Sequence, residues 1–194
     1  MPLFYHFRVP ETVQKFKKFL ARVGRPALIG LSAVLALTAA LPNSSRAVAA
    51  SSPPGSTRAP ALWLPGLDGG AHALDEWRGQ VLVVNFWVSW CAPCQAEIPL
   101  LVRLQAAHGA HGLQIIGVGI DQAGHLRNVQ RSLGINYPVL VADPGRSEYL
   151  LPQWGNAQGI VPYTVVVNRA GQVVHRQLGE LDEMTFDAVV LPLL

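Results

Sequence analysis

Cys91 and Cys94 are the only two cysteines of the 194-residue chain, and they are separated by Ala92 and Pro93 in the sequence WCAPC. At the start of a helix, two cysteines at this spacing can close a small disulfide ring, with the first sulfur near the unpaired backbone amides. Those amides and the helix dipole stabilise a thiolate and lower the pKa of the first cysteine. Pro93 suits an early helical position, because its missing N–H would be unpaired there in any case. The pattern therefore indicates thiol–disulfide chemistry.

Three other uses of this cysteine pair stay open at this point. A purely structural disulfide would stabilise the fold little, because so short a loop removes little entropy from the unfolded chain. A zinc site needs two more ligands, and His108 and His111 are three residues apart at a predicted helix end, where a solvated turn is favoured. Copper could bind both thiols with a distant histidine such as His175, although nothing in the spacing specifies it.

The cysteines lie between two elements that the sequence predicts clearly. Val81–Trp87 (VLVVNFW) is almost continuously apolar and rich in β-branched residues, which predicts a strand buried on both faces at the centre of a sheet. Apolar residues recur at spacings of three and four over residues 94–107, which predicts an amphipathic helix that Pro99 should kink. The reactive pair is thus expected where a central strand leads into a helix.

Strand and helix patterns alternate along the rest of the chain. A second buried strand is predicted at Leu113–Ile120 (LQIIGVGI). Further strands are predicted at 61–64, 138–142, 163–168 and 172–178, and helices at 125–133, 147–154 and 182–190. Early alternation followed by a hairpin and a last helix predicts an α/β fold with a mixed sheet covered on both faces.

Residues 81–99 (VLVVNFWVSWCAPCQAEIP) resemble the active-site strand, turn and helix of thioredoxin-fold proteins, in particular the exported TlpA/ResA type of thiol-disulfide oxidoreductase. The segments at 77–79 (WRG) and 159–164 (GIVPYT) extend the similarity over most of residues 59–194. The resemblance implies a thioredoxin fold, with a central mixed sheet, helices on both faces and an additional strand and helix inserted in mid-chain.

The same resemblance implies a role for several residues. Cys91 would be the nucleophile that attacks a partner disulfide, and Cys94 would be the resolving thiol that breaks the mixed disulfide. Pro162 would follow Val161 through a cis peptide bond and lie against the active-site disulfide. The cysteine pair is itself the redox-active group, so no cofactor and no metal are implied.

A proton shuttle is expected three residues after the second cysteine. Thioredoxin keeps a buried aspartate six residues before its first active-site cysteine, where this chain has Asn85, which cannot exchange a proton. TlpA/ResA-type proteins instead place a glutamate where this chain has Glu97, one helical turn beyond Cys94. A partly buried carboxyl group there would accept and return the thiol's proton, whereas an exposed glutamate in a first helical turn is the alternative.

Five further residues are expected near the site, and two of them, Trp87 and Asp121, have an alternative role. Trp90 is expected, together with Ala92 and Pro93 between the cysteines, to shield and shape the reactive sulfur. Trp87 would do the same or pack in the core. Asp121 follows a predicted strand end, where it would serve the site or cap the next helix.

The amino-terminal segment differs sharply from the rest in charge. Residues 1–50 contain seven of the 15 Lys and Arg residues and one of the 12 acidic residues, so the remainder has 8 basic and 11 acidic side chains and a negative balance. Nucleic-acid binding therefore lacks its main electrostatic basis. The basic start, the apolar run at residues 27–41 and the small residues up to position 49 are typical of an export signal.

These observations predict three parts: a signal peptide or membrane anchor at 1–49, a flexible linker at 50–58 and a thioredoxin-like domain at 59–194. The apolar run is shorter than the roughly 20 residues of a membrane-spanning helix, which favours a cleaved signal. If the leader is not cleaved, it would be the only part of the protein that attaches to the membrane. We expect a periplasmic protein, either soluble after cleavage or tethered to the inner membrane by residues 27–41.

The expected activity is reduction of protein disulfides, such as those of apocytochrome c or of copper-site cysteines, with a membrane thiol donor of the DsbD/CcdA type. The Ala-Pro pair between the cysteines resembles the Gly-Pro of thioredoxin and favours a reductant. Tyr163 follows the expected cis proline, where cytochrome-c-maturation reductases often have glutamate.

A thiol peroxidase on the same fold is an alternative that needs threonine three residues before the cysteine, where this chain has Val88. A copper carrier is the non-enzymatic alternative.

Overall fold

The computed structural model of the chain describes residues 57–194. The predicted leader at 1–49 and nearly all of the predicted linker at 50–58 lie outside the described residues. Thr57 and Arg58 already belong to the fold, because the carbonyl of Thr57 accepts the Val173 N–H at 3.0 Å and Arg58 pairs with Gln172. Sheet contacts therefore begin two residues before the predicted domain start. Within residues 57–194, no helix has the length and apolar character needed to span a membrane.

Apart from the short strand at Ala71–Ala73, for which no strand was predicted, the strands and α-helices follow the predicted order. The strands are β1 (Trp63–Pro65), β2 (Ala71–Ala73), β3 (Val81–Trp87), β4 (Leu113–Ile120), β5 (Val139–Ala142), β6 (Tyr163–Val167) and β7 (Val173–Leu178). The α-helices are α1 (Ala92–His108), α2 (Ala123–Ser132), α3 (Ser147–Gln153) and α4 (Glu183–Val189). Strands β3 and β4 have the predicted bounds, and α1 begins two residues earlier than predicted, with Pro99 inside it.

The main sheet has the strand order β5-β4-β3-β6-β7, which places the predicted central strand β3 in the middle. Strands β3, β4 and β5 are parallel, whereas β6 is antiparallel to both β3 and β7. The sheet is therefore mixed, as predicted. The expected mid-chain helix and strand are present as α2 and β5, which extend the sheet beyond β4, and β1 and β2 form a separate small hairpin.

The two faces of the main sheet carry different side chains, because successive residues of a strand point to opposite sides. On one side, here called the Glu97 face, Asn85 of β3 contacts Glu97 of α1. On the other side, here called the Phe86 face, the ring of Phe86 packs against Trp154 at the end of α3, with ring centroids 5.4 Å apart. Helices thus cover both faces, and the buried apolar side chains of β3, β4 and β6 form the core between them.

Candidate active site

A disulfide joins Cys91 to Cys94 at the amino-terminal end of α1. Cys91 is the residue that caps the helix, and its Sγ accepts the Cys94 N–H at 3.1 Å. The helix amides that the sequence pattern predicted to stabilise a thiolate therefore do face the first sulfur. Ala92 and Pro93 form the exposed first turn between the cysteines. Cys91 is 8% exposed and Cys94 is 0% exposed, so a partner can reach only the first sulfur.

A cis peptide bond connects Val161 to Pro162, as the resemblance implied. It lies beside the disulfide, because the carbonyl oxygen of Val161 is 4.0 Å from Cys91 Sγ. Pro162 is buried, and Val161 is half-buried next to Ile160, which is 48% exposed. The turn that ends in Pro162 therefore forms the wall of the site opposite α1.

Glu97 lies inside the protein, with 3% of its surface exposed. Its Oε1 accepts the Asn85 Nδ2–H at 2.6 Å, and its Oε2 accepts the Leu181 backbone N–H at 2.9 Å. Burial raises the pKa of Glu97 to about 7, although both hydrogen bonds oppose the shift. A surface glutamate in a first helical turn is thus excluded, and this carboxyl group can gain or lose a proton near neutral pH.

Asn85 positions this carboxyl group, a role that the sequence did not reveal. Its Nδ2 donates to Glu97 and also to Thr164 Oγ1 of β6, at 3.1 Å. The amide thereby connects α1 with two strands of the sheet. Asn85 occupies the place of the thioredoxin aspartate and, instead of exchanging a proton, holds the group that can.

The two tryptophans near the cysteines have different surroundings. Trp90 is 79% exposed directly before Cys91, whereas Trp87 at the end of β3 is fully buried. Trp90 can therefore contact a partner protein beside the reactive sulfur. The packing of Trp87 is that of a core residue on the Glu97 face.

Two hydrogen bonds of Ser89 hold the turn before Cys91 in place, and the sequence did not predict them. The Ser89 hydroxyl donates to Asp121 at the end of β4, and the Ser89 carbonyl accepts the Gln95 Nε2–H at 2.6 Å. Asp121 does not cap α2, whose N-cap is Gln122. Burial alone would raise the pKa of Asp121, but the hydrogen bonds that it accepts outweigh burial and lower the pKa. Asp121 thus ties the active-site turn to the sheet.

The structure offers no support for a metal centre within residues 57–194. No cluster of three or more His, Cys, Asp or Glu side chains there is arranged to hold a metal ion. The rings of His108 and His111 are 6.5 Å apart at the end of α1, and His108 packs against Phe186. Both lie at the predicted helix end, where His111 is exposed, whereas His108 is half-buried.

The cysteine pair follows the central strand, lies at the start of the next helix and faces a cis proline. This arrangement is typical of thioredoxin-fold proteins with a redox-active disulfide. The chain matches the Redoxin family over residues 53–190. This match covers most of the chain, and the protein belongs to the Redoxin family.

Individual relatives agree with this assignment. The chain is similar to the thiol:disulfide interchange protein HelX of Rhodobacter capsulatus, with 38% identity over 117 residues, 60% of this chain and 62% of HelX. It is 29% identical to the thiol-disulfide oxidoreductase ResA of Geobacillus thermodenitrificans over 120 residues, 61% of this chain and 66% of ResA. The similarity thus spans just under two thirds of the length of these relatives.

A solved structure agrees over a larger share of its own length. The crystal structure of a thiol:disulfide interchange protein, a thioredoxin family protein from Chlorobium tepidum, superposes with a TM-score of 0.62 and 28% identity. The superposition covers 71% of this chain and 96% of that one. Together with HelX and ResA, it confirms the resemblance to TlpA/ResA-type thioredoxin-like proteins and the thioredoxin fold.

Proposed function

We propose that this protein is a periplasmic thiol-disulfide oxidoreductase that reduces disulfides of other proteins. One observation carries the proposal: Cys91 reaches the surface beside the cis proline, while Cys94 is completely buried on the side of α1 that carries Glu97. An accessible sulfur and an inaccessible one are what a nucleophile and a resolving thiol require. The names of HelX and ResA support the same activity.

The proposed reaction uses the reduced cysteine pair. The Cys91 thiolate attacks one sulfur of the partner disulfide, so that a mixed disulfide forms and the other partner sulfur leaves as a thiolate. Cys94 then gives its proton to the Glu97 carboxylate and attacks Cys91 Sγ. This step re-forms the Cys91–Cys94 disulfide and releases the second partner thiolate. The partner has gained two electrons, and the cysteine pair has lost two.

Three features of the site support this sequence of steps. The backbone N–H of Cys94 lies on Cys91 Sγ and favours its thiolate. Glu97, with its pKa near 7, can hold the Cys94 proton at neutral pH. The exposed Trp90 and Ile160 flank the reactive sulfur and give a partner apolar surface to contact.

The direction of the reaction and its partners complete the proposal. The Ala-Pro pair between the cysteines resembles that of reductants, so the pair would be reduced again by a membrane thiol donor of the DsbD/CcdA type. Apocytochrome c or copper-site cysteines would be the substrates. Tyr163 follows the cis proline, where cytochrome-c-maturation reductases often have glutamate, and at this position the chain departs from that subgroup.

Trapping the mixed disulfide tests the activity. We expect the Cys94→Ser variant to form a covalent complex with a disulfide-bonded peptide, because the resolving thiol is missing, and the Cys91→Ser variant to form none. Mass spectrometry should locate the bond at Cys91. A complex with both variants or with neither would contradict the proposal. Peroxide consumption that does not depend on Cys94 would favour the thiol peroxidase instead.

The reduction potential tests the direction. Equilibration with dithiothreitol or glutathione, followed by thiol trapping, should give a reduction potential of about −270 mV for the Cys91–Cys94 pair, as for thioredoxin. A value near about −120 mV would identify an oxidant and overturn the proposed direction.

A further inference from the structure

Protons that reach Glu97 must pass through the protein. Glu97 is 3% exposed and Cys94 is 0% exposed, so Cys94 has no contact with bulk water and Glu97 has almost none. Every turnover nevertheless moves a proton onto Cys94 and off it again. A path from Glu97 to the surface is therefore required.

Unpartnered polar atoms gather on the Glu97 face. Among residues 57–194, four buried side-chain atoms have no hydrogen-bond partner: Asn85 Oδ1, Trp87 Nε1, the Tyr137 hydroxyl and Trp154 Nε1. Asn85 and Trp87 are two residues apart on β3 and so point to the same face as Glu97. Trp154 packs on the other face. Since nearly all buried polar groups in native proteins have a partner, three unpartnered groups on one face require an explanation.

Gly117 shows that these three groups are neighbours. It pairs with Asn85 in the register of β3 and β4. A methyl group added to Gly117 would lie 3.1 Å from Trp87 Nε1 and 3.2 Å from Tyr137 Cε2. The indole N–H and the phenol ring therefore both pack on this glycine, next to the strand position of Asn85.

Tyr137 links this cluster to the outside. Burial raises the pKa of its hydroxyl, and the negative charge of Glu97 raises it further, so this hydroxyl stays protonated. Tyr137 also lines a cavity of about 390 Å³ together with Asp68 and His72. The side chain of Asp68 is 63% exposed, which places this cavity at the surface.

We propose that Asn85 Oδ1, Trp87 Nε1 and the Tyr137 hydroxyl form a buried binding site for water, which carries protons between Glu97 and the cavity lined by Tyr137. The inference rests on the proposed function, because only a reacting Cys94 gives Glu97 a proton to move. An acceptor, a donor and a hydroxyl that can be either are the partners that a buried water molecule needs.

Proton balance is simple along this path. When Cys94 attacks Cys91 Sγ, the thiol proton goes to the Glu97 carboxylate. Glu97 then passes it to the bound water. The Tyr137 hydroxyl accepts a proton on its oxygen and releases its own toward the cavity, so it ends unchanged and never has to ionise. Trp87 only donates, and it orients the water.

The test compares two tyrosine variants of the full chain. Reduced protein is mixed with excess glutathione disulfide at pH 7, and tryptophan fluorescence follows a single turnover in H₂O and in D₂O. We expect Tyr137→Phe, which keeps the ring, to slow the reaction on the order of tenfold and to increase the solvent isotope effect, with the reduction potential unchanged. Tyr149→Phe, at a residue 65% exposed, is the matched control and should equal the wild type.

Two tryptophan variants are compared in the same way. This comparison tests the proposed proton path even if Tyr137→Phe does not fold. Trp87→Phe and Trp154→Phe each remove one buried, unpartnered indole N–H, but only the first lies on the Glu97 face. We expect the larger isotope effect in Trp87→Phe alone.

Two outcomes overturn the inference. Rates and isotope effects equal to wild type in Tyr137→Phe and Trp87→Phe would show that no proton passes this way. Slower turnover with an unchanged isotope effect and a shifted reduction potential would show a packing role only. If the wild type itself does not react with disulfides, the proposed function fails, which is a separate result.

Discussion

Two buried tyrosines on opposite faces of the sheet have opposite surroundings. On the Phe86 face, the Tyr163 hydroxyl donates to the Trp154 carbonyl at 2.7 Å, and the rings of Phe86 and Tyr163 pack with centroids 5.9 Å apart. On the Glu97 face, the Tyr137 hydroxyl has no protein partner and lies near a buried carboxyl group. One face therefore contributes stability, and the other gives up some stability to keep an ionisable group inside.

Removing a large ring from the Phe86 face should have the largest effect on folding. Phe86 is fully buried, and we expect Phe86→Ala to lower the free energy of unfolding by about 3–5 kcal/mol, because it leaves a cavity. Urea unfolding monitors the change. If the two faces are separate in function, the reduction potential of the variant stays at the wild-type value. A large change in potential would break the comparison.

The Glu97 face should make stability depend on pH. The pKa of Glu97 is about 7 in the folded protein, above its ordinary value of 4.5. Between these values the unfolded chain has lost this proton and the folded protein has not, so the free energy of unfolding falls as pH rises, by up to about 3 kcal/mol in total. The contribution of Glu97 to stability is full below pH 4.5 and is lost as the pH rises through about 7.

Glu97→Gln isolates this contribution. His72 adds a loss of stability above its ordinary pKa of 6.5, because hydrogen bonds to Glu76 and Asp68 raise its pKa. Glu180 also acts on Glu97, and its charge raises the Glu97 pKa slightly. The difference between wild type and Glu97→Gln in urea unfolding from pH 4 to pH 8 should therefore follow Glu97 alone. An equal pH dependence in both proteins would contradict the account.

The same variant should also slow catalysis. Glutamine cannot exchange a proton, and we expect the rate of disulfide exchange at pH 7 to fall about 100-fold. The glutamine oxygen can still accept the Leu181 backbone N–H, and Asn85 can turn its amide over to accept the glutamine N–H, so the site should keep its shape. Stopped-flow kinetics measures the rate, and trapping of the mixed disulfide should persist in the variant. An undiminished rate would remove Glu97 from the mechanism.

The tyrosine comparison predicts the smallest effect. Tyr163→Phe loses a buried hydrogen bond and should lower the free energy of unfolding by about 1 kcal/mol. Tyr137→Phe removes a hydroxyl that has no protein partner, so its stability should change by less than that. Parallel urea titrations of the two variants measure both values, and a reversed order would contradict the contrast between the faces.

The features that could be predicted depend on residues close to one another in the sequence. Strands β3 and β4 are continuous apolar runs, so their bounds were predicted correctly. The cysteine pair and its place at the start of α1 follow from local spacing and from Pro93. By contrast, β2 has three partly exposed residues without a repeating pattern and is held only by pairing with β1, so it was not predicted.

The features that could not be predicted depend on contacts between residues far apart in the sequence. The burial of Glu97 depends on Asn85 and on the backbone of Leu181, and no spacing reveals that these three meet. The sequence therefore left open whether Glu97 is buried or exposed. Asp121 was expected to serve the site or cap a helix, but its partner Ser89 lies on a different element.

The titration of Glu97 tests the account most directly. The carboxyl carbon of Glu97 can be followed by ¹³C NMR in the oxidised protein between pH 3 and pH 9, with Glu97→Gln to assign the resonance. The account predicts a pKa of about 7. A pKa near the ordinary value of 4.5 would show that the carboxyl group is not held inside the protein and would contradict its role as the proton shuttle of Cys94.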